Sequence, residues 1–286
     1  MAETKILLRV RDYDLAATLD SGQAFRWREQ NGSWSGIVGK HWVRLTQTRD
    51  GICAEAAVPQ KDWQWLRDYL QTEVNLAAVL KTFPKDEPMQ TAVAACRGLR
   101  ILRQDPWECL ASFILSSTKQ IVQIRQIIVL LCECFGERLA PRPSVLIDCY
   151  HTFPAPEIIA RATEAQLRAC KMGFRASYLL AAARRIADGK FDLNRLRYLP
   201  LTEARAELVK LHGVGDKIAD CVLLFACGFD SAFPVDVWVG RALRKLYFPR
   251  RHVTARHLHH FAATHFGPHA GYAQQYLFHY MRTKMK

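Results

Sequence analysis

Two residues in this chain have the types and setting for covalent chemistry. Lys217 carries the only kind of side chain that forms a Schiff base with a sugar or carbonyl carbon, and Asp236 follows nineteen residues later in Phe233-Pro-Val-Asp236-Val-Trp238. Lys217 lies in the first turn of an expected helix that opens directly after Gly213-Val214-Gly215. A cation there opposes the helix dipole, so a purely structural design would not favour it. Attack needs the neutral amine, which a helix N-terminus and a basic surrounding both promote. A lysine that binds phosphate is the alternative use. Asp236 precedes a second expected helix and could serve as its N-cap. That use is compatible with chemistry, because an ionised carboxylate also stabilises positive charge developing on a nearby carbon.

The stretch that must place the lysine is Leu208-Val-Lys-Leu-His212-Gly213-Val214-Gly215-Asp-Lys217. It reads as helix, tight turn, helix. The two glycines permit positive φ and a close backbone approach, Val214 is expected to plug the turn into the core, and the free N–H groups of the second helix form an anion site suited to phosphate. An ordinary helix–helix turn would share the pattern.

Around these residues the chain divides in two. Residues 5 to 57 read as strands: Ile6–Val10, Phe25–Glu29, Trp34–Val38 and Trp42–Thr48, with Asn31-Gly32 and Asp50-Gly51 as hairpin turns. From Asp62 the apolar spacing becomes helical. Helices are expected at Asp105-Pro106 onward, Ile121–Phe135, Pro156–Cys170, Ser177–Asp188, Thr202–Leu211, Asp216–Cys227, Val237–Tyr247, His257–Phe266 and Gly271–Met285. The expected fold is α+β: an N-terminal antiparallel β domain over residues 1–90 and an all-α domain over 91–286, with a loose boundary near 83–99.

Bulk composition narrows the partners. Half of the 286 residues are apolar and 23% are charged, which argues against disorder. The formal net charge is +13, and Val237–Lys286 holds nine Lys or Arg and no acid. Such a surface suits a polyanion. The nine cysteines (53, 96, 109, 132, 134, 149, 170, 221 and 227) are odd in number and irregularly spaced, so reduced thiols are expected. The start of the chain shows no signal peptide and no apolar run reaches membrane length. The C-terminal histidines, His257 and His260 among them, lack matching Cys or carboxylate partners and read as basic surface rather than a metal site.

Gly-Val-Gly-Asp-Lys217-Ile-Ala-Asp followed by Pro-Val-Asp236 resembles the signature of the helix-hairpin-helix glycosylase superfamily, and within it the 8-oxoguanine DNA glycosylases. The resemblance spans most of the chain, through Ser21-Gly-Gln-Ala-Phe-Arg-Trp27, Gln104-Asp-Pro-Trp-Glu-Cys-Leu110, Ser112-Phe-Ile-Leu-Ser-Ser117, Gly173-Phe-Arg-Ala176 and Gly271-Tyr-Ala-Gln-Gln-Tyr-Leu-Phe278. It implies excision of oxidised guanine from duplex DNA by Lys217 with Asp236 assisting, then strand cleavage by β-elimination. It implies that the Gly22 carbonyl faces N7 of the lesion, which oxidation at C8 turns from acceptor to donor. Cys221 and Phe278 would sandwich the flipped base and Gln274 would read its Watson–Crick edge. His212, Gly213, Val214 and Gly215 would meet the DNA backbone. A monovalent cation held by the carbonyls of Val209, Leu211 and Val214 follows by the same analogy.

The chain departs from the family where eukaryotic members carry Asn and Arg against the opposite cytosine. Here the residues are Thr118 and Gln123. Arg175 matches the third cytosine contact, and Trp238 stands where the family often has a His near phosphate. A relaxed opposite-base preference is therefore expected. Cys227 is the last cysteine, so no iron–sulfur cluster is expected, nor any other cofactor. A monomer acting on double-stranded DNA is expected, without a membrane, in the cytoplasm at a bacterial nucleoid or in a nucleus. Two alternatives remain at this point: an alkylated-base glycosylase of the same fold, which would not need Lys217, and a non-catalytic helix-hairpin-helix DNA-binding protein, which would not need Asp236, Gly22 or Gln274.

Overall fold

A computed structural model describes residues 3–140 and 150–284. Five strands, β1 (Glu3–Arg9), β2 (Arg28–Gln30), β3 (Ser33–Val38), β4 (His41–Thr48) and β5 (Gly51–Gln60), form one antiparallel sheet in the order β1-β5-β4-β3-β2. Asn31 and Gly32 both have positive φ, 51° and 74°, as the tight turn between β2 and β3 requires. A short helix, α1 (Leu15–Leu19), interrupts the strands, and sequence periodicity misses it because five residues are too few to show a period. The segment Phe25–Glu29, expected as a strand, pairs only from Arg28. Its alternation arises differently: Phe25 turns into the helical core and Trp27 into the sheet core.

The sheet core packs Leu8, Val43, Leu45, Ile52 and Ala54 against Trp27 and against α2 (Gln64–Leu70). Trp27 donates its indole N–H to Tyr69 Oη at 2.8 Å. Gly36 on β3 admits that ring, since a Cβ there would lie 2.6 Å from it.

Six residues after Leu70 the chain is already committed to the second core. Helices α3 (Leu76–Lys81) and α4 (Glu87–Ala95) place Leu76, Val79, Met89 and Ala92 in the helical cluster. The expected boundary at 90/91 falls inside α4, within the segment 83–99 over which the sequence leaves it loose. Then come α5 (Pro106–Ser116), α6 (Ile121–Phe135), α7 (Pro156–Arg161), α8 (Glu164–Ala169), α9 (Arg175–Ala187), a 3₁₀ turn at Asn194–Tyr198, α10 (Leu201–Val209), α11 (Asp216–Val222) running into a π turn at Leu223–Cys227, α12 (Val237–Tyr247), α13 (Ala255–His265) and α14 (Ala270–Lys284). The expected single helix over Pro156–Cys170 is two, because the Thr163 hydroxyl caps α8 by accepting from Gln166 N at 3.2 Å. Helix α5 is the central one. Asp105 caps it, Pro106 opens it, and every residue from Cys109 to Leu115 is buried. Met285, expected at the end of α14, and Cys149 lie outside the described residues.

Candidate active site

The hairpin that carries Lys217 is built as its spacing implied, with one difference. Val214 is buried and its N–H donates to Leu211 O at 3.0 Å, closing the turn. Gly213 has φ +82°, and a Cβ there would meet the Tyr178 ring at 2.3 Å, so both conformation and space require glycine. Gly215 has extended backbone, φ −101°, with open space where a Cβ would stand. Its side is free for an incoming backbone rather than filled by protein. Arg205 on α10 donates to the buried Asp220 on α11 at 2.7 Å and fixes the two helices against each other. His212 is exposed and packs edge-on against Tyr178.

Lys217 points inward from α11. Its Nζ donates to Ser116 Oγ at 3.3 Å at the end of α5 and sits 4.9 Å above the Phe113 ring. Asp236 caps α12 by accepting the Val239 N–H at 2.7 Å. Asp236 is half-buried and lines a cavity. Burial raises its pKa above the usual carboxylate range, opposed by the helix N–H groups and by the positive charge of Lys217. The capping and chemical uses of Asp236 therefore coexist. Among the described ion pairs none joins Lys217 to Asp236. The amine is held by Ser116, a residue of the Ser112–Ser117 motif to which sequence reasoning gave no role.

Both groups line one cavity of about 360 Å³, in the size range of small-molecule sites. The same walls carry Gly22, Cys221, Gln274, Phe278 and Trp238, so residues spread over 256 positions meet there. Gly22 has φ +76°, and a Cβ would crowd Ile121 Cδ1 at 3.2 Å and Phe278 Cε1 at 3.3 Å. Burial pushes the Cys221 thiol up to about 12, the charge of Lys217 only partly opposing it, so it is an apolar wall and no nucleophile. Gln274 is 4% exposed and its Oε1 is a buried acceptor with no partner, on a residue that lines the cavity. Trp238 is exposed at the rim, with the Arg241 guanidinium 5.5 Å from its ring.

The residues expected at the opposite base behave differently. Arg175 is buried, and its guanidinium donates to Ser117 O at 2.8 Å and to Thr118 Oγ1. Thr118 adopts φ +56°. Gln123 is exposed at the start of α6, where its Oε1 accepts from Gln120 N at 3.2 Å. The three are thus grouped, but Arg175 and Gln123 are spent on the loop between α5 and α6. The supports of Gly22 went unread in the sequence. Gln23 is fully buried, donating to Arg100 O at 2.8 Å and accepting from Leu102 N at 2.8 Å, and Gln275 Nε2 donates to Ser21 O at 2.8 Å. The only sign was polar residues within otherwise apolar segments.

Residues 5–110 match the family described as 8-oxoguanine DNA glycosylase, N-terminal domain, and residues 111–264 match the HhH-GPD superfamily base excision DNA repair protein family. The chain belongs to the 8-oxoguanine DNA glycosylase family. Its relatives match most of its length. The N-glycosylase/DNA lyase OGG1 of Arabidopsis thaliana is 33% identical over 92% of this chain and 76% of its own. A probable N-glycosylase/DNA lyase of Methanothermobacter thermautotrophicus is 30% identical over 96% and 95%. The Clostridium acetobutylicum 8-oxoguanine glycosylase/lyase, solved with double-stranded DNA containing cytosine opposite 8-oxoG, superposes with a TM-score of 0.90 at 32% identity, covering 98% of this chain and 99% of that one.

Proposed function

We propose that this family member excises 8-oxoguanine from double-stranded DNA and nicks the abasic strand, with Lys217 as nucleophile and Asp236 as its electrostatic partner. The observation that carries the residue roles is the shared cavity: one amine, one partly buried carboxylate and a base-sized space bounded by Gly22, Cys221, Gln274 and Phe278. An alkylated-base enzyme would have no use for the amine placed there.

The steps follow from the groups present. The lesion base leaves the stack for the cavity, between Phe278 and the Cys221 wall. The Gly22 carbonyl accepts from N7–H, and the unpartnered Gln274 oxygen accepts from the Watson–Crick edge. As the C1′–N9 bond breaks and its electron pair departs with the base, Asp236 stabilises the charge on the sugar. The Lys217 amine bonds to C1′, loses its proton and, on ring opening, becomes an iminium. That iminium acidifies C2′–H. Removal of this proton expels the 3′ phosphate oxygen, and water then hydrolyses the imine and releases Lys217. No redox group enters.

The hairpin N–H groups and His212 hold phosphate. Leu211 O accepts one bond, from Val214, and keeps a lone pair, which fits a monovalent cation shared with the carbonyls of Val209 and Val214. Such an ion would reinforce the attraction for phosphate. Every group of the site comes from one chain, which supports a monomer as the working unit. It would act wherever the genome lies, at a nucleoid or in a nucleus. No described helix is long and apolar enough to cross a membrane.

Borohydride reduction during turnover of an 8-oxoguanine duplex should trap a covalent protein–DNA adduct. Lys217→Gln should trap none. An undiminished adduct from that variant would remove Lys217 as the nucleophile.

A further inference from the structure

The Gly22 loop is gripped from the far end of the chain. Asp20 caps the C-terminus of α1, two residues before Gly22. Its carboxylate binds two guanidiniums from different helices: Arg125 of α6 through Oδ1 at 2.8 Å, and Arg282 of α14 through Oδ2 at 3.3 Å. The same Arg282 nitrogen also donates to the Asp20 backbone carbonyl. Two turns earlier on α14, Gln275 holds Ser21 O, and Phe278 lies between them against Gly22. The Arg282 guanidinium is 5.9 Å from the Phe278 ring. The side chains of Arg125 and Arg282 are about four-fifths buried, at 17% and 18% exposure.

We infer that Asp20, clamped by Arg125 and Arg282, is a positioning device that fixes the Gly22 carbonyl relative to the Phe278 ring and so sets the geometry of lesion recognition. The inference rests on the base-pocket reading of Gly22 and Phe278 proposed above. One wall of that pocket is the loop from α1 to β2 and the other a helix over 250 residues away in sequence. Nothing local holds their spacing. A charge-assisted contact does, because one Arg282 nitrogen is tied to both the carboxylate and the backbone carbonyl of Asp20. Arg282 also lies 5.9 Å from the Phe278 ring and lines the same cavity, so one side chain meets both walls. Strand cleavage at an existing abasic site needs Lys217 and Asp236 but no base, so it should be indifferent to the clamp.

The test compares two single-turnover rates in the full-length protein: excision of 8-oxoguanine from a duplex, and cleavage of a duplex with a preformed abasic site. For Arg282→Met and Asp20→Asn the ratio of excision to cleavage should fall about tenfold or more, since misplacement of about 1 Å costs up to about 10²-fold. Arg282→Lys should recover part of it, and the double variant Asp20→Asn/Arg282→Met should be no worse than Arg282→Met alone. Asp20→Asn is the milder change and serves if Arg282→Met does not fold. An unchanged ratio in both variants, or excision and cleavage falling together, would overturn the clamp while leaving the enzyme's proposed activity in place. A wild-type protein that neither excises nor cleaves would instead overturn the activity, and the clamp with it.

Discussion

Replacing Asp236 by Asn separates its two duties. The structural one is the cap: Oδ1 accepts the Val239 N–H at 2.7 Å. Asn caps a helix about as well as Asp, whereas Ala would forfeit roughly 1 kcal/mol. The chemical duty is negative charge beside a carbon that becomes positive. Burial raises the carboxyl pKa above its ordinary value. A group with a raised folded pKa binds its proton more readily in the folded than in the unfolded state, so ionisation opposes folding. The cost grows as pH rises from the unfolded value through the folded one, persists at neutral pH, and vanishes in acid. Asn carries no such cost. At pH 7.5 Asp236→Asn should therefore melt at or above the wild-type temperature, and Asp236→Ala below Asp236→Asn by roughly 2–4 °C. Loss of the charge should slow excision about 10²–10³-fold, the size seen for removing a single electrostatic stabiliser from other active sites. Wild-type excision should also decline as pH drops through a carboxylate pKa above the usual range, and the Asn variant should show no such step. Thermal melts, single-turnover excision and its pH profile check all three. An Asn variant as unstable as Ala, or one excising within about threefold of wild type, would refute this account.

Gly22→Ala forces a left-handed φ on a residue with Cβ, costing about 1–2 kcal/mol, and presses on Ile121 and Phe278. Excision of 8-oxoguanine should fall about tenfold or more while cleavage of a preformed abasic site survives; parallel loss of both would refute the local role. Opposite-base preference should be shallow, because Arg175 is engaged by Ser117 and Thr118 and the other two positions lack Asn and Arg. Excision opposite A, G and T should stay within about tenfold of that opposite C, since bidentate contacts worth about 1–3 kcal/mol each are missing. A bias beyond about a hundredfold toward C, measured under the same single-turnover conditions, would show that Arg175 and its neighbours re-aim on binding DNA.

What the sequence disclosed and what it withheld follow from the range of each interaction. The hairpin, Lys217 and the Asp236 cap lie within one stretch of thirty residues, where turn chemistry and helix capping are local rules. Helix α12 starts and stops where its cap and period say. Short pieces escaped: α1 has five residues, and the Thr163 cap that splits α7 from α8 sits within a continuous apolar period. The two hairpin glycines divide the expected uses: Gly213 takes the positive φ and answers to Tyr178, thirty-five residues away, while Gly215 keeps open space for a close approach.

The same distinction explains why the chemistry was easier to read than its discrimination. A nucleophile and a counter-charge can be recognised from residue type and a short spacing. The wall that tells one purine from another is made by juxtaposition: Ser21 to Gln275 spans 254 positions, and Asp20 to Arg282 spans 262. Neither Gln275 nor Arg282 has a residue type that marks it, and Arg282 on a basic C-terminal helix looks like one more phosphate contact. Only its placement, beside Phe278 and bonded to Asp20 of the Gly22 loop, distinguishes it from the other C-terminal cations. Charge counting therefore overstates the DNA-binding surface by at least this one arginine. A salt-dependence measurement should find Arg282→Met leaving the slope of log binding against log salt unchanged, whereas removal of a phosphate-contacting cation lowers it by about one unit. A reduced slope in Arg282→Met would return that residue to the DNA-facing surface.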